Sequence, residues 1–279
     1  MDSLPKCCMK SPSNSANDRF ERGADKYASY LDTPEGRLRT DLAQANLQDY
    51  LPALQAMESP RALDIGCGTG AAAVRLARLG YQVTQLDSSE AMLDIARGTA
   101  EEAGVTDAVT LLRCDALHLM NLFDAASFDI VLCHNILEYV DDAATVLRGA
   151  ARVLRGTSAI LSIVARNRAG EVLKAAIQNG DLEAAERYLT AQWGSESLYG
   201  GRVRLLTPTE LEAMLNAESL EVIAHRGIRV VADYLPSQVS RSAEYERIFE
   251  LERKLGKLNE FSATARYTQY LVRRTGKDS

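Results

Sequence analysis

The pattern of hydrophobic positions changes texture at Pro60. Before it, apolar residues including Leu38, Leu42, Ala45 and Leu47 recur at helical spacing after a Pro34-Glu35-Gly36 break, which predicts an N-terminal helical region over residues 18–58. Beyond it, short apolar runs alternate with helical stretches. The runs at 62–65, 82–86, 109–113, 128–134, 159–164, 221–224 with an extension near Val230, and 267–272 read as strands. Between the first four lie helices at 71–79 and 89–103 and a short turn at 118–123. Strands alternating with such helices require crossovers, so the expected fold is α/β, a doubly wound Rossmann-like sheet of seven mostly parallel strands with helices on both faces.

Two later segments break the rhythm. Residues 169–192 read as one or two helices interrupted at Asn179-Gly180, and 193–206 as a loop bearing glycines, a tyrosine, Arg202 and Arg204. The two together, 169–206, are expected to form a lid-like insertion covering the substrate at the open edge of the sheet. Thr207-Pro208-Thr209-Glu210 is a capping box with proline at the first helical position, which predicts a helix over 210–216. A helix with alternating charges is expected over 242–255. The division that follows is a tail over 1–17, rich in Ser, Asn and Pro and expected to be disordered, then one domain over 18–279. Within that domain, 59–168 forms the cofactor-binding core and 207–279 completes the sheet.

Composition narrows the function classes. A hydrophobic fraction of 46% and a charged fraction of 25% over 279 residues are those of an ordinary globular chain. The formal net charge of -6 gives no overall attraction to nucleic acid or anionic lipid. No apolar run reaches membrane-spanning length and the N-terminus has no secretion-signal pattern, so a cytoplasmic location without a membrane partner is expected. The five cysteines, Cys7, Cys8, Cys67, Cys114 and Cys133, show neither paired spacing nor a histidine cluster, and no metal is expected. Cys7 and Cys8 read as exposed thiols of the tail.

The chemistry concentrates in A-L-D-I-G-C-G-T-G at 62–70. A buried strand runs into Gly66, Gly68 and Gly70, which let the backbone turn sharply and approach a ligand. Gly66, Gly68 and Ala71 also satisfy the looser dinucleotide fingerprint, so a nicotinamide or flavin cofactor is the rival, and a ligand-free turn the plain alternative. Asp64 argues against a pyrophosphate, which it would repel, and for a ligand carrying an ammonium and a sulfonium. Asp87 ends the second strand about twenty residues on, where a carboxylate accepts both ribose hydroxyls. Asp115, ending the third strand, faces an adenine amino group or simply caps a turn. His134 and Asn135 close the fourth strand at the carboxyl edge.

These motifs resemble those of class I S-adenosylmethionine-dependent methyltransferases. The likeness is carried by D-I-G-C-G-T-G at 64–70, L-D-S-S-E-A-M-L at 86–93, R-C-D-A at 113–116 and F-D-I-V-L-C-H-N-I-L-E-Y-V at 128–140. It implies S-adenosyl-L-methionine as cofactor, with Asp64, Gly66, Gly68 and Gly70 around the methionine part. It further implies Asp87 on the ribose, Asp115 and Ala116 on the adenine, Arg39 on the cofactor carboxylate, and Ser88, Met92 and His134 along the same site.

A narrower resemblance extends nearly end to end. H-N-I-L-E-Y-V-D-D at 134–142, G-I-R-V-V-A-D-Y-L at 227–235, E-L-E at 250–252 and A-R-Y at 265–267 are similar to the tRNA 5-carboxymethoxyuridine methyltransferases, which esterify a carboxylate on a wobble uridine. Where that family can carry a lysine-rich stretch, this chain has Gly200-Gly201-Arg202-Val203-Arg204. The acceptor is therefore expected to be tRNA or a small molecule. For a carboxylate, Arg202, Arg229 and Arg266 are candidate bidentate partners, Arg229 foremost as a catalytic residue. For a hydroxyl or amine, His134 is the candidate base. Trp193, Tyr199 and Tyr234 are candidates to stack on the acceptor, or else satellite core.

Overall fold

The computed structural model describes residues 18–51, 59–196 and 198–276. The tail expected to be disordered, with Cys7 and Cys8, lies outside them.

Two helices come first, α1 (Asp18–Leu31) and α2 (Pro34–Gln48). Thr33 separates them, its hydroxyl accepting from the Gly36 amide while Pro34 fixes φ at the first turn. Then follow β1 (Arg61–Ile65), α3 (Ala71–Arg78), β2 (Gln82–Asp87), α4 (Glu90–Glu102), β3 (Val109–Arg113), α5 (Leu119–Leu122), β4 (Ile130–His134), α6 (Ala143–Val153) and β5 (Ile160–Arg166). After β5 the chain forms α7 (Arg168–Leu173), a π-helical turn (Lys174–Gln178), α8 (Leu182–Tyr188) and a hairpin of β6 (Trp193–Ser195) with β7 (Arg202–Arg204). It ends with α9 (Pro208–Ala217), β8 (Leu220–Ile228), α10 (Tyr245–Leu255), α11 (Asn259–Ser262) and β9 (Tyr267–Arg274).

The seven-stranded sheet runs β3-β2-β1-β4-β5-β9-β8, with β1 to β5 parallel and β9 antiparallel to both its neighbours. Its central strands are buried on both faces, and β5 is buried at every position, so they read as continuous apolar runs rather than as alternation. One apolar cluster joins the sheet to α5, α6 and α9 through Leu119, Val146, Leu147, Leu211 and Leu215. The opposite face packs against α2, α3 and α10 through Leu42, Leu47, Leu76 and Ile248. Strand order reverses direction between β1 and β4, and the crevice outside their carboxyl ends is where such a sheet binds a ligand.

Several expectations change. The extension of the eighth strand toward Val230 does not form: β8 stops at Ile228, Arg229 takes φ 60°, and the amides of Val230, Val231 and Ala232 all donate to the Glu252 carboxylate. Three amides held by a buried acid leave no ladder for a strand. The loop at 193–206 contains the β6–β7 hairpin, and the helical stretch of 169–192 ends at Tyr188. The helix expected from 242 starts at Tyr245, and the predicted elements include neither α6, capped by Asp142 on Thr145 N, nor α11.

Candidate active site

The ends of β1 to β4 enclose a cavity of about 940 Å³, its open mouth included. The glycine turn after β1 forms its floor. Gly66 and Gly68 sit at φ 66° and 54°, the left-handed region, and a side chain at Gly66 would reach 2.7 Å from Ile136 while one at Gly68 would reach 3.3 Å from the Tyr27 ring. Gly70 is set back from the cavity at the start of α3, against Gln85 and Ala96.

Acidic groups line one wall. Asp87 is fixed by the amides of Gly68 (2.9 Å) and Ser89 (3.0 Å), while burial raises its pKa. Asp64 is buried with no partner for Oδ2 among the described residues, and burial, then the nearby Asp87 charge, pushes it up to about 7. Asp115 turns one oxygen to the Leu117 amide as a cap and lines the cavity with Ser88, Met92 and Ala116. Asp115 thus caps the turn, one of the two roles weighed from sequence, while also lining the cavity. A second lobe shares Tyr27, Gly66, His134 and Asn135 with the first and adds Arg39 and Asp64. Arg39 is 6% exposed, donates to the Tyr27 hydroxyl at 2.8 Å and lies over the rings of Tyr27, Tyr30 and Tyr267. No carboxylate among the described residues pairs with it.

His134 stands where the two lobes meet. Its Nε2 lies 2.8 Å from Ser162 Oγ, and burial, followed by the Arg39 charge, pushes its pKa down to about 3. An imidazole in that state is a poor base at neutral pH. The mouth above it is roofed by aromatic rings from three elements: Phe20 and Tyr27 of α1, Tyr139 after β4, and Tyr199 of the hairpin, with centroids 5.0 to 5.9 Å apart.

The arginines expected to clamp an acceptor are not brought to this cavity. Arg229 is buried against Asp233 and donates to Tyr30 Oη at 2.8 Å. Arg266 pairs with Glu171, which also takes Arg166, and Arg166 reaches Glu196. These cations are neutralised within a buried network beyond β5. Burial would raise the Tyr267 phenol at its centre, but Arg166, Arg39, Arg229 and Arg266 outweigh it and bring it down to about 8. Arg202 and Trp193 stack on each other on the outer hairpin, 4.2 Å from guanidinium to ring, and Tyr234 reaches the Gly170 carbonyl rather than the cavity. Of the residues expected at the acceptor, Tyr199 and His134 line the cavity.

Comparison with known proteins places this architecture. Residues 63–162 match the family model described as "Methyltransferase domain". The tRNA 5-carboxymethoxyuridine methyltransferase of Escherichia coli O157:H7 is 27% identical over 91% of this chain and 95% of its own length. The ubiquinone biosynthesis O-methyltransferase of Hahella chejuensis is 31% identical over 64% of this chain and 71% of its own. The chain belongs to the class I S-adenosylmethionine-dependent methyltransferases. Among solved structures, the magnesium protoporphyrin IX methyltransferase of Synechocystis PCC 6803, with bound SAH, aligns at a TM-score of 0.62 with 14% identity, covering 94% of this chain and 99% of that one. That likeness concerns the fold.

The cavity of this methyltransferase fits its cofactor. The unpartnered Asp64 oxygen suits an ammonium, the unpaired Arg39 suits a carboxylate, and Asp87 is held by backbone amides with its carboxylate facing the cavity. Sequence patterns alone miss Phe20, Tyr27, Tyr139, Ser162 and Gln269. The aromatics come from segments far apart in the chain, and the polar pair is hidden in strands that read as apolar. For the aromatics, the one available signal was the spacing of Phe20 and Tyr27, two turns apart on one helix face.

Proposed function

We propose that this methyltransferase moves the methyl group of S-adenosylmethionine to an oxygen that arrives already anionic, a carboxylate, and that its carrier is a 5-carboxymethoxyuridine of tRNA. One observation carries the reading: His134, the strand-end residue best placed to act as a base, is held with Nε2 2.8 Å from Ser162 Oγ, where burial and then the Arg39 charge push its pKa down to about 3. A carboxylate needs no proton removed before it attacks, whereas a hydroxyl or ammonium does. Similarity over 95% of the E. coli tRNA methyltransferase favours tRNA as the carrier.

When bound, S-adenosylmethionine supplies an electrophilic methyl group. The residues of the chain hold it: Asp64 takes its ammonium, Arg39 its carboxylate, Asp87 its ribose hydroxyls, and Asp115 with Ala116, Ser88 and Met92 its adenine side. Gly66 and Gly68 allow the close approach. The segment 169–206 acts as a cover, bringing Tyr199 onto Phe20, Tyr27 and Tyr139 so that water is excluded while donor and acceptor are aligned. Such alignment accounts for on the order of 7–11 kcal/mol of acceleration in favourable cases.

A second reading, an O-methyltransferase of a small metabolite, is supported by the net charge of -6, by the aromatic closure of the mouth and by the ubiquinone biosynthesis relatives. Incubating labelled S-adenosylmethionine with bulk tRNA and, separately, with a small-metabolite extract distinguishes the two. Label in the tRNA fraction is the expected result, and label confined to metabolites would replace it with the second reading.

A further inference from the structure

The side chain of His134 belongs to a buried polar chain that crosses the sheet. Ser162 on β5 and Gln269 on β9 are fully buried, and Asn46 on α2 is nearly so. In register, His134 lies opposite Val164, and Val164 opposite Gln269, so these side chains and that of Ser162, two residues before Val164, share the sheet face beneath α2. Gln269 Nε2 donates to the Ala43 carbonyl at 3.0 Å and to Ser162 Oγ at 3.0 Å, while Gln269 Oε1 accepts from Asn46 Nδ2 at 2.9 Å. A backbone carbonyl can only accept, so the amide orientation of Gln269 is fixed by Ala43.

The rest follows from counting protons. Ser162 Oγ accepts from Gln269 and has one proton of its own, and His134 Nε2, at 2.8 Å, is the acceptor within reach among the described residues. If Nε2 carried a proton instead, it would donate to the serine and leave the buried Ser162 hydroxyl proton with no acceptor. The neutral ring therefore carries its proton on Nδ1. That nitrogen has no protein partner among the described residues and is not sealed from the cavity. Arg39, the charged group facing the ring from α2, disfavours a second proton.

We infer that His134 is a hydrogen-bond donor and not a base, presenting Nδ1–H to an oxygen of the acceptor, and that Ser162 and Gln269 are positioning residues which fix this tautomer. The role as donor to the acceptor rests on the carboxylate reading above; the tautomer does not. A neutral donor here selects acceptors with a lone pair beside the reacting oxygen, as a carboxylate has, and disfavours protonated amines. The four residues of the chain come from α2, β4, β5 and β9, and the polar positions among apolar ones that unite them serve one proton.

Histidine-selective 15N labelling and long-range proton–nitrogen correlation on the full chain with S-adenosylhomocysteine, at neutral pH and without acceptor, read the tautomer directly. His134 is expected protonated on Nδ1 and unprotonated on Nε2, and Ser162→Ala is expected to shift the population toward Nε2–H. A wild-type ring protonated on Nε2, or an imidazolium, would overturn the inference whatever the acceptor proves to be. The donor role is read on 5-carboxymethoxyuridine-bearing tRNA, in kcat at saturating S-adenosylmethionine. His134→Leu is expected to lose about 10- to 100-fold, as for a hydrogen bond to a charged group. His134→Asn, whose amide places a donor near the Nδ1 position and cannot act as a base, is expected to recover most of that loss. An asparagine variant as slow as the leucine one, with both binding S-adenosylhomocysteine as the wild type does, would refute the donor role. Wild-type inactivity on this tRNA alongside the Nδ1–H tautomer would reject the carboxylate reading, and with it the donor role, while the fixed tautomer stands.

Discussion

Among single residues Asp64 combines burial, an orphaned oxygen and a displaced pKa. In the folded chain it keeps its proton to about pH 7, whereas an unfolded carboxyl releases it near 3.8. Between those values the unfolded chain binds fewer protons, so stability falls as pH rises from about 4 to 7. Asp64→Asn is therefore expected to raise unfolding stability at pH 8 by on the order of 2–4 kcal/mol and to leave it unchanged at pH 4, as read in denaturant titrations. The same substitution is expected to weaken S-adenosylhomocysteine binding about 10- to 100-fold in calorimetry, because the ammonium loses its charged partner. Wild-type affinity should rise as pH climbs through about 7, where Asp64 ionises. At Gly66, whose φ is 66°, alanine is expected to cost about 1–3 kcal/mol and to impair cofactor binding together with stability.

At the scale of elements, the sequence was legible where local physics decides and silent where distant segments meet. The capping box of Thr207 and Glu210 forms as expected, with both reciprocal hydrogen bonds, and Thr207→Ala should cost about 1 kcal/mol without altering cofactor affinity. The glycine turn and the central strands β4 and β5 were equally plain, because buried strands are near-continuous apolar runs. Strands β2 and β3, which mix polar and apolar positions, showed through their alternation with helices. The end of β8 was not legible. Val230 and Val231 favour a strand by propensity, yet Glu252, some twenty positions away, takes their amides and that of Ala232. Glu252→Ala, leaving three amides without their acceptor, is expected to destabilise the protein by about 3 kcal/mol or more in thermal or denaturant unfolding, while Glu252→Gln recovers part of it. The expected substrate arginines divide between the two cases: Asp233 lies only four positions after Arg229 and pairs with it locally, whereas Glu171 on α7 becomes the partner of Arg266 only once that helix lies beside the start of β9.

The whole molecule divides its charges between two tasks. Beyond β5, arginines and acids neutralise one another in a buried network that ties α7, the hairpin and β9 together, and Arg166→Met, which removes the cation shared by Glu171 and Glu196, should cost about 3–5 kcal/mol in unfolding free energy. Inside the cavity, by contrast, Asp64 and Arg39 meet no opposite charge among the described residues, an arrangement suited to a ligand that carries both signs. Its aromatic roof is assembled from α1, the segment after β4 and the hairpin, three parts of the chain far apart in sequence. What this arrangement lacks is a basic histidine where an acceptor proton would have to be removed. The central claim is thus that the methyl group is placed on a carboxylate oxygen, and the bond formed reports on it most directly. After transfer from labelled S-adenosylmethionine to 5-carboxymethoxyuridine-bearing tRNA, mild alkali should release the label as methanol, as a methyl ester requires; label that survives alkali, as an ether or a methylamine would, contradicts the account.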